Sequence, residues 1–224
     1  MGIWELYAEV YDSINLWLPY RKMLEAVIDE LPVSSGGSVL DAGCGTGNLC
    51  RRLREKNRWA EIVGIDFSPA MLEKAGQKLK NANIRLLRMD LNQPLGFPGG
   101  RFDYLVSINT LYALDDPARA LKEFHRVLKR GGRLVVVNPV SDIRPVSFNR
   151  RMGFDKDRID SLGTVLDISL AVLINMVIYL RSRFNRYHFL SEADFREVLG
   201  RIGFNTVDFR YVPEDQSIIV IATK

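Results

Sequence analysis

Three acidic residues and three closely spaced glycines suit a ligand that carries a positive charge and needs the backbone close against it. Asp41 sits near the end of the apolar run Ser38–Ala42. Gly43, Gly45 and Gly47 follow at every second position, with Cys44 between the first two. Asp66 closes a second apolar run, and Asp90 follows a third. Glycine is needed where a backbone turns sharply and a ligand must approach without a Cβ in the way. An acid at a strand end can accept ribose hydroxyls. Carboxylates and aromatic faces suit a positive charge. A dinucleotide fits less well. Its fingerprint places the third glycine one residue later, and Asp41 would repel a pyrophosphate. The two cysteines, Cys44 and Cys50, lie six apart and form neither a disulfide framework nor a metal-ligand pattern. No metal site is expected.

Positioning these residues requires strands that end at the acids and helices that begin after the glycines. The pattern supplies them. Strands are predicted at 38–42, 61–66, 84–89, 102–108 and 133–138. Helices are predicted at 49–56, 69–80 and 117–129. Ser68 precedes Pro69 as an N-cap, Asp115 or Asp116 caps the helix opened by Pro117, and Gly131-Gly132 stops it. Such alternation predicts a parallel sheet covered by helices, with ligands at the carboxyl ends of the strands. Residues 140–190 break the rhythm with a basic loop and an apolar helix at 159–180. Ser191 then caps a helix to Leu199, Gly203 ends it, and strands follow at 206–212 and 217–223. Pro213-Glu214-Asp215 is too short for a crossover helix, so these two strands are antiparallel neighbours. The expected architecture is a three-layer, Rossmann-like α/β sandwich. Its seven-stranded sheet is mostly parallel with an antiparallel C-terminal strand. Residues 1–224 form one domain, with an aromatic N-terminal helical segment at 1–31 and a helical insertion at 140–190 shaping the acceptor site.

Composition excludes extremes. Of 224 residues, 47% are apolar and 26% charged, and the net charge of +4 is mild. Nucleic acid is not an expected partner. No basic leader precedes an apolar core at the N-terminus, so a cytoplasmic setting is expected.

Four stations, in order, resemble the class I S-adenosylmethionine-dependent methyltransferases. They are Val39 to Gly47, Gly64 to Ala75, Asp90, and Phe102-Asp103 through Asn109 to Asn138. The resemblance implies S-adenosyl-L-methionine as cofactor and a methyl-transfer enzyme. It places Asp41 at the cofactor's amino-acid end, Asp66 at the ribose and Asp90 at the adenine amino group. Phe67, Met71 and Leu91 would flank the adenine. Gly43, Cys44, Gly45 and Gly47 form the loop, and Tyr11 belongs to a segment that folds over the cofactor in relatives. Asn109 and Tyr112 fall beside the methyl group, and His188 reaches toward it from the insertion. These three are the catalytic candidates, with Asn109 also counted among cofactor contacts. His125 is expected to be a packing residue.

The acceptor is expected to be small and hydrophobic or lipid-like, a quinone-type ring or a lipid headgroup. The stretch Tyr11-Asp12-Ser13-Ile14-Asn15 looks like the opening of quinone-biosynthesis methyltransferases. Phospholipid N-methyltransferases are the other lipid-linked relatives. Base methylases often carry Asn/Asp-Pro-Pro-Tyr/Phe after the fourth strand, where Ile108-Asn109-Thr110-Leu111 stands here. The alternative is a non-catalytic cofactor-binding assembly or regulatory module of the same fold. Residues 168–180 are nearly all apolar. They cannot cross a bilayer, because 133–138 and 217–223 belong to one sheet. Segment 140–190 carries eight Lys/Arg against five Asp/Glu, so +3 of the chain's +4 lies there. Phe148, Phe154, Phe184, Tyr187 and Phe189 accompany these charges. This helix caps the site, forms a homodimer, or rests on the inner, anionic face of a membrane.

Overall fold

A computed structural model describes residues 3–139, 162–182, 188–212 and 217–224. The basic loop of 140–158, Phe148, Phe154, Phe184, Tyr187 and the turn 213–216 lie outside the described residues.

Seven strands form one sheet in the order β3-β2-β1-β4-β5-β7-β6. They are β1 Ser38–Ala42, β2 Glu61–Asp66, β3 Arg85–Arg88, β4 Phe102–Ile108, β5 Leu128–Pro139, β6 Thr206–Val212 and β7 Ser217–Thr223. The first five are mutually parallel, and β7 runs antiparallel to both β5 and β6. β1 is buried along its whole length, which fits a central strand covered on both faces. Helices α1 Ile3–Val10, α2 Leu18–Asp29, α3 Asn48–Lys56, α4 Pro69–Leu79, α5 Pro117–Val127, α6 Leu162–Ser182 and α7 Glu192–Ile202 complete the chain.

Alternation of side chains along the strands divides the core. Val135 and Val137 of β5 pack with Met23, Leu24, Leu49, Leu53 and Leu79 from α2, α3 and α4. Leu134 and Val136 pack with Leu121, Phe124, Phe195 and Leu199 from α5 and α7. The result is a three-layer sandwich. His125 on α5 meets Phe204 edge to face, with ring centroids 4.9 Å apart, in the packing role expected for it.

Two boundaries differ from expectation. The N-terminal run is split, since a 3-10 turn at Tyr11–Leu16 separates α1 from α2, with Pro19 in the first turn of α2. More telling, α5 stops at Val127 rather than Lys129. Leu128 is fully buried and already pairs with Phe102 of β4. Gly131-Gly132 therefore does not end a helix. It sits in a register shift of β5, with Gly131 at φ +73°. The last carbonyls of α5 find their donor far away, as Lys224 Nζ bonds the His125 carbonyl at 2.6 Å and that of Leu128 at 2.8 Å.

Candidate active site

The glycine loop leaves β1 and is pinned to β2, where the Gly43 and Cys44 N–H groups both donate to the Ile65 carbonyl at 2.8 and 2.9 Å. Its three glycines serve different ends. A Cβ on Gly43 would lie 2.3 Å from Thr110 Oγ1, and one on Gly47 would lie 2.6 Å from Leu79. These two are glycine because other parts of the chain press against them. Gly45 differs. At φ +52°, a Cβ there would meet nothing nearer than the Tyr11 ring at 3.8 Å and Met71 Sδ at 4.0 Å, so no neighbour presses on it. Its missing side chain leaves room for a ligand.

Asp66 closes the loop from behind. Its Oδ2 accepts the Gly45 N–H and its Oδ1 accepts the Ser68 N–H, both at 2.9 Å. Burial raises its pKa, and the backbone donors oppose that. Each oxygen keeps acceptor capacity for a further hydroxyl. Asp41 lies deeper, 2% exposed, and accepts the Cys50 thiol at 3.2 Å. Burial pushes its carboxyl up to about 7, with nearby Asp66 adding to the shift and the Cys50 hydrogen bond opposing it. Cys44 turns its thiol into the core against Gly64, so it brings the loop only backbone.

The N-terminal segment closes over this loop. Tyr11 meets Tyr7 edge to face at 5.0 Å, and burial followed by neighbouring Tyr20 holds its phenol well above the usual range. Beside it, Lys78 Nζ donates to Asp12 Oδ1 at 2.6 Å, Thr46 Oγ1 at 3.0 Å and Asn48 Oδ1 at 2.6 Å. The Thr46 hydroxyl donates to the same Asp12 oxygen at 2.6 Å. This polar clasp ties the 3-10 turn, the glycine loop and α4 together. No sequence motif announces it, because its members are brought together only by folding.

The adenine candidates are divided. Phe67 is 50% exposed at the end of β2, free to cover a flat ring. Asp90 is exposed, and its Oδ1 accepts the Asn92 N–H at 2.9 Å. Leu91 is buried beside Leu95 below the turn that follows Asp90.

Past β4, Asn109 adopts φ +51° and its N–H bonds the Val137 carbonyl at 2.9 Å. Its Oδ1 is buried with no hydrogen-bond partner. Tyr112 is buried and stacks on Phe189 with centroids 5.8 Å apart and planes 6° off parallel. The Tyr112 carbonyl accepts the His188 N–H at 2.8 Å, while the His188 side chain is exposed. Tyr112 joins Tyr7, Val10, Met71, Ala171 and Ile174 in an apolar roof built by α1, α4, the turn after β4, and α6. Among the described residues, no cluster of three or more His, Cys, Asp or Glu side chains is placed to hold a metal.

Residues 40–136 match the family model described as a methyltransferase domain. Over those residues the chain is similar to a methyltransferase domain, and they make up under half of its length. The demethylmenaquinone methyltransferase of Thermus thermophilus is 35% identical over 136 residues, which cover 57% of this chain and 60% of that one. The ubiquinone/menaquinone biosynthesis C-methyltransferase UbiE of Geotalea uraniireducens is 24% identical over 92% of this chain and 87% of its own. The chain spans little more than half the length of the first of these curated relatives. In fold, the domain is similar to a putative S-adenosyl-L-methionine-dependent methyltransferase from Methanococcus maripaludis. That structure has a TM-score of 0.68 and 23% identity, over all of this chain and 94% of that one. The residues present fit the methyltransferase cofactor, since the uncrowded Gly45, the half-buried Asp66 carboxylate and the Tyr11 and Met71 side chains suit a nucleoside carrying a sulfonium.

Proposed function

We propose that this protein transfers a methyl group from S-adenosyl-L-methionine to a quinone-type ring acceptor held beneath the apolar roof. The uncrowded Gly45, with Tyr11 and Met71 beside it and Asp66 bonded to its N–H, carries the reading. When bound, S-adenosylmethionine supplies an electrophilic methyl group on a good leaving group. The chain's own work is to hold and to shield. Asp66 accepts ribose hydroxyls, Asp41 offsets the ligand's ammonium, Met71 flanks the adenine, and Tyr11 closes over the loop. The roof of Tyr7, Tyr112 and Ile174 excludes water and aligns the acceptor, and proximity of this kind accounts for much of a methyl-transfer rate. A ring acceptor is favoured by the aromatic, uncharged roof and by relatives named for quinone methylation.

The test pairs binding with turnover. Calorimetry with S-adenosylhomocysteine should show binding that weakens by about 1–3 kcal/mol in Asp66→Ala, as a buried hydroxyl pair is lost. Radiolabelled methyl transfer to a short-chain demethylmenaquinol should follow. Binding without transfer to any ring acceptor would favour the non-catalytic module. No binding would sink both readings.

A second reading concerns where the enzyme works. Leu162, Leu166, Leu173 and Val177 fall on one stripe of α6 and are 75%, 60%, 56% and 38% exposed. None of the described helices is long and apolar enough to cross a membrane. We propose that this stripe rests on an anionic bilayer, since the surrounding segment carries the chain's excess of positive charge. Flotation with phosphatidylglycerol vesicles should carry the protein up and should fail for Leu166→Glu/Leu173→Glu. Equal flotation of both, or a dimer dispersed by the same pair of substitutions, would overturn it.

A further inference from the structure

At the amino ends of β1, β2 and β3, a cleft of about 360 Å³ opens between three loops, at the opposite end of these strands from the glycine loop. Gly36, Trp59, Ile62, Asn83 and Arg85 line it. Trp59 is 69% exposed, more than any other aromatic side chain among the described residues. Arg58 lies over its ring, with the guanidinium carbon 5.5 Å from the centroid. The loops are tied to one another. Arg54 donates to the Arg58 carbonyl at 2.5 Å and to the Asn83 carbonyl at 3.0 Å. Asn57 Nδ2 donates to the Val33 carbonyl at 2.6 Å, and its Oδ1 accepts the Trp59 N–H at 3.0 Å. The charge is one-sided. These loops and the side chains bonded to them carry Arg54, Arg58, Arg85 and Arg101 against Glu61, and Glu61 is already paired with Arg101. Among the described residues, no carboxylate pairs with Arg58 or Arg85. Nothing in the methyl-transfer site uses this face.

We propose that this cleft docks an acidic segment of a partner protein, with an apolar side chain of that segment laid on Trp59. Trp and Arg are the side chains that most often carry the binding energy of protein interfaces. Arg58 stacks on the indole and Arg85 lines the same cleft, so carboxylates next to the apolar side chain meet opposite charge. The tied loops hold the surface ready, which lowers the ordering cost of binding. Other occupants fit less well. With Trp59 so exposed, the cleft is too open for a small molecule, which needs most of its surface covered. Two unpaired arginines are too few for the track of phosphate contacts that holds a nucleic acid. A bilayer asks for a broad apolar face, and Trp59 is the one exposed large apolar side chain lining the cleft. The six residues of β2, about 20 Å of strand, separate the cleft from the end of the sheet that carries the glycine loop. A bound partner therefore leaves the cofactor loop open.

The probe is a phage-displayed library of random peptides, panned on the full chain. Recovered peptides should carry several Asp or Glu residues beside an aromatic or aliphatic one. The affinity of such a peptide, made synthetically, should fall about tenfold in Trp59→Ser and about fivefold in Arg85→Glu. Both side chains are exposed, so Tm and S-adenosylhomocysteine affinity should hold in both variants. A version of the peptide with its acids replaced by Lys should lose the wild type and regain affinity for Arg85→Glu. Recovery of no peptide, or of peptides without acids, would overturn the proposal. So would a peptide affinity that neither substitution changes, or a lysine version that binds both proteins alike. Binding of polyuridylate or of phosphatidylglycerol vesicles that Trp59→Ser and Arg85→Glu both abolish would overturn it as well, in favour of a nucleic acid or a lipid surface. Because the readout is peptide binding, its failure leaves the methyl-transfer reading untouched.

Discussion

The half of the site that faces the methyl donor and the half that faces the acceptor are built on opposite plans. In the first, the polar groups are occupied within the fold. Asp66 takes two backbone N–H groups, Asp41 takes a thiol, and Asp12, Thr46, Asn48 and Lys78 satisfy one another. In the second, the buried oxygens of Asn109 and Asn138 have no hydrogen-bond partner, and the side chains gathered from α1, the turn after β4 and α6 are aromatic and aliphatic. The polar groups around the glycine loop are thus satisfied before any ligand arrives, whereas the two amide oxygens at the ends of β4 and β5 are not. Preorganisation favours tight binding of one invariant molecule.

The contrast can be broken most forcefully inside the loop. Gly43→Ala puts a methyl group onto the Thr110 side chain and should cost about 3 kcal/mol in urea unfolding. Thr110→Ala in the same chain should recover part of that loss. Gly45→Ala makes only ordinary van der Waals contacts, with Tyr11 and Met71, so it should cost about 1 kcal/mol, chiefly for its backbone angle. Even so, it should remove S-adenosylhomocysteine binding from calorimetry. Equal stability losses at the two glycines would erase the distinction between packing and ligand.

The next effect is set by Asp41, raised by burial to about 7 from 3.8. Its protonated form belongs to the folded state, so its contribution to stability is full below 3.8 and is lost as pH rises through about 7. A ligand ammonium needs the ionised form. S-adenosylhomocysteine affinity should therefore rise roughly fivefold to tenfold between about pH 6 and pH 8, with proton release seen in buffers of different ionisation enthalpy. Asp41→Asn should flatten both profiles. A flat wild-type profile would show that Asp41 does not face the ligand's charge.

The smallest effect belongs to the clasp. Lys78→Met removes the shared donor of Asp12, Thr46 and Asn48, and should lower global stability by only about 1 kcal/mol. Its larger signature is local. Limited proteolysis within residues 3–16 should accelerate, and bound S-adenosylhomocysteine should slow it again. Unchanged cleavage would mean that the aromatic contacts of Tyr7 and Tyr11 hold the segment unaided.

Much of this was legible in the residues themselves. β1, β2, β4, β6 and β7 fall where their apolar runs predicted, and the Ser68 and Asp116 caps bond Met71 and Arg119 as helix starts require. The α5–β5 boundary was not legible, because Gly-Gly after a helix looks like a stop, while burial of Leu128 and its pairing with Phe102 end the helix sooner. The packing of Leu91 with Leu95 was not visible from its place after Asp90. Lys78 and Asp12 are 66 residues apart, and nothing local marks either for the other.

The sequence by itself determined the donor side. The glycine spacing and the strand-end acids are local devices, each acting through the few residues around it. Only the tertiary structure decided which glycine leaves room for a ligand and which acids are buried. It also decided that the side-chain oxygens of Asn109 and Asn138 are buried without a partner. The physical reason is range. Turns, caps and strand ends are fixed by short stretches of backbone, whereas burial and hydrogen-bond satisfaction depend on partners that only the folded chain brings within reach.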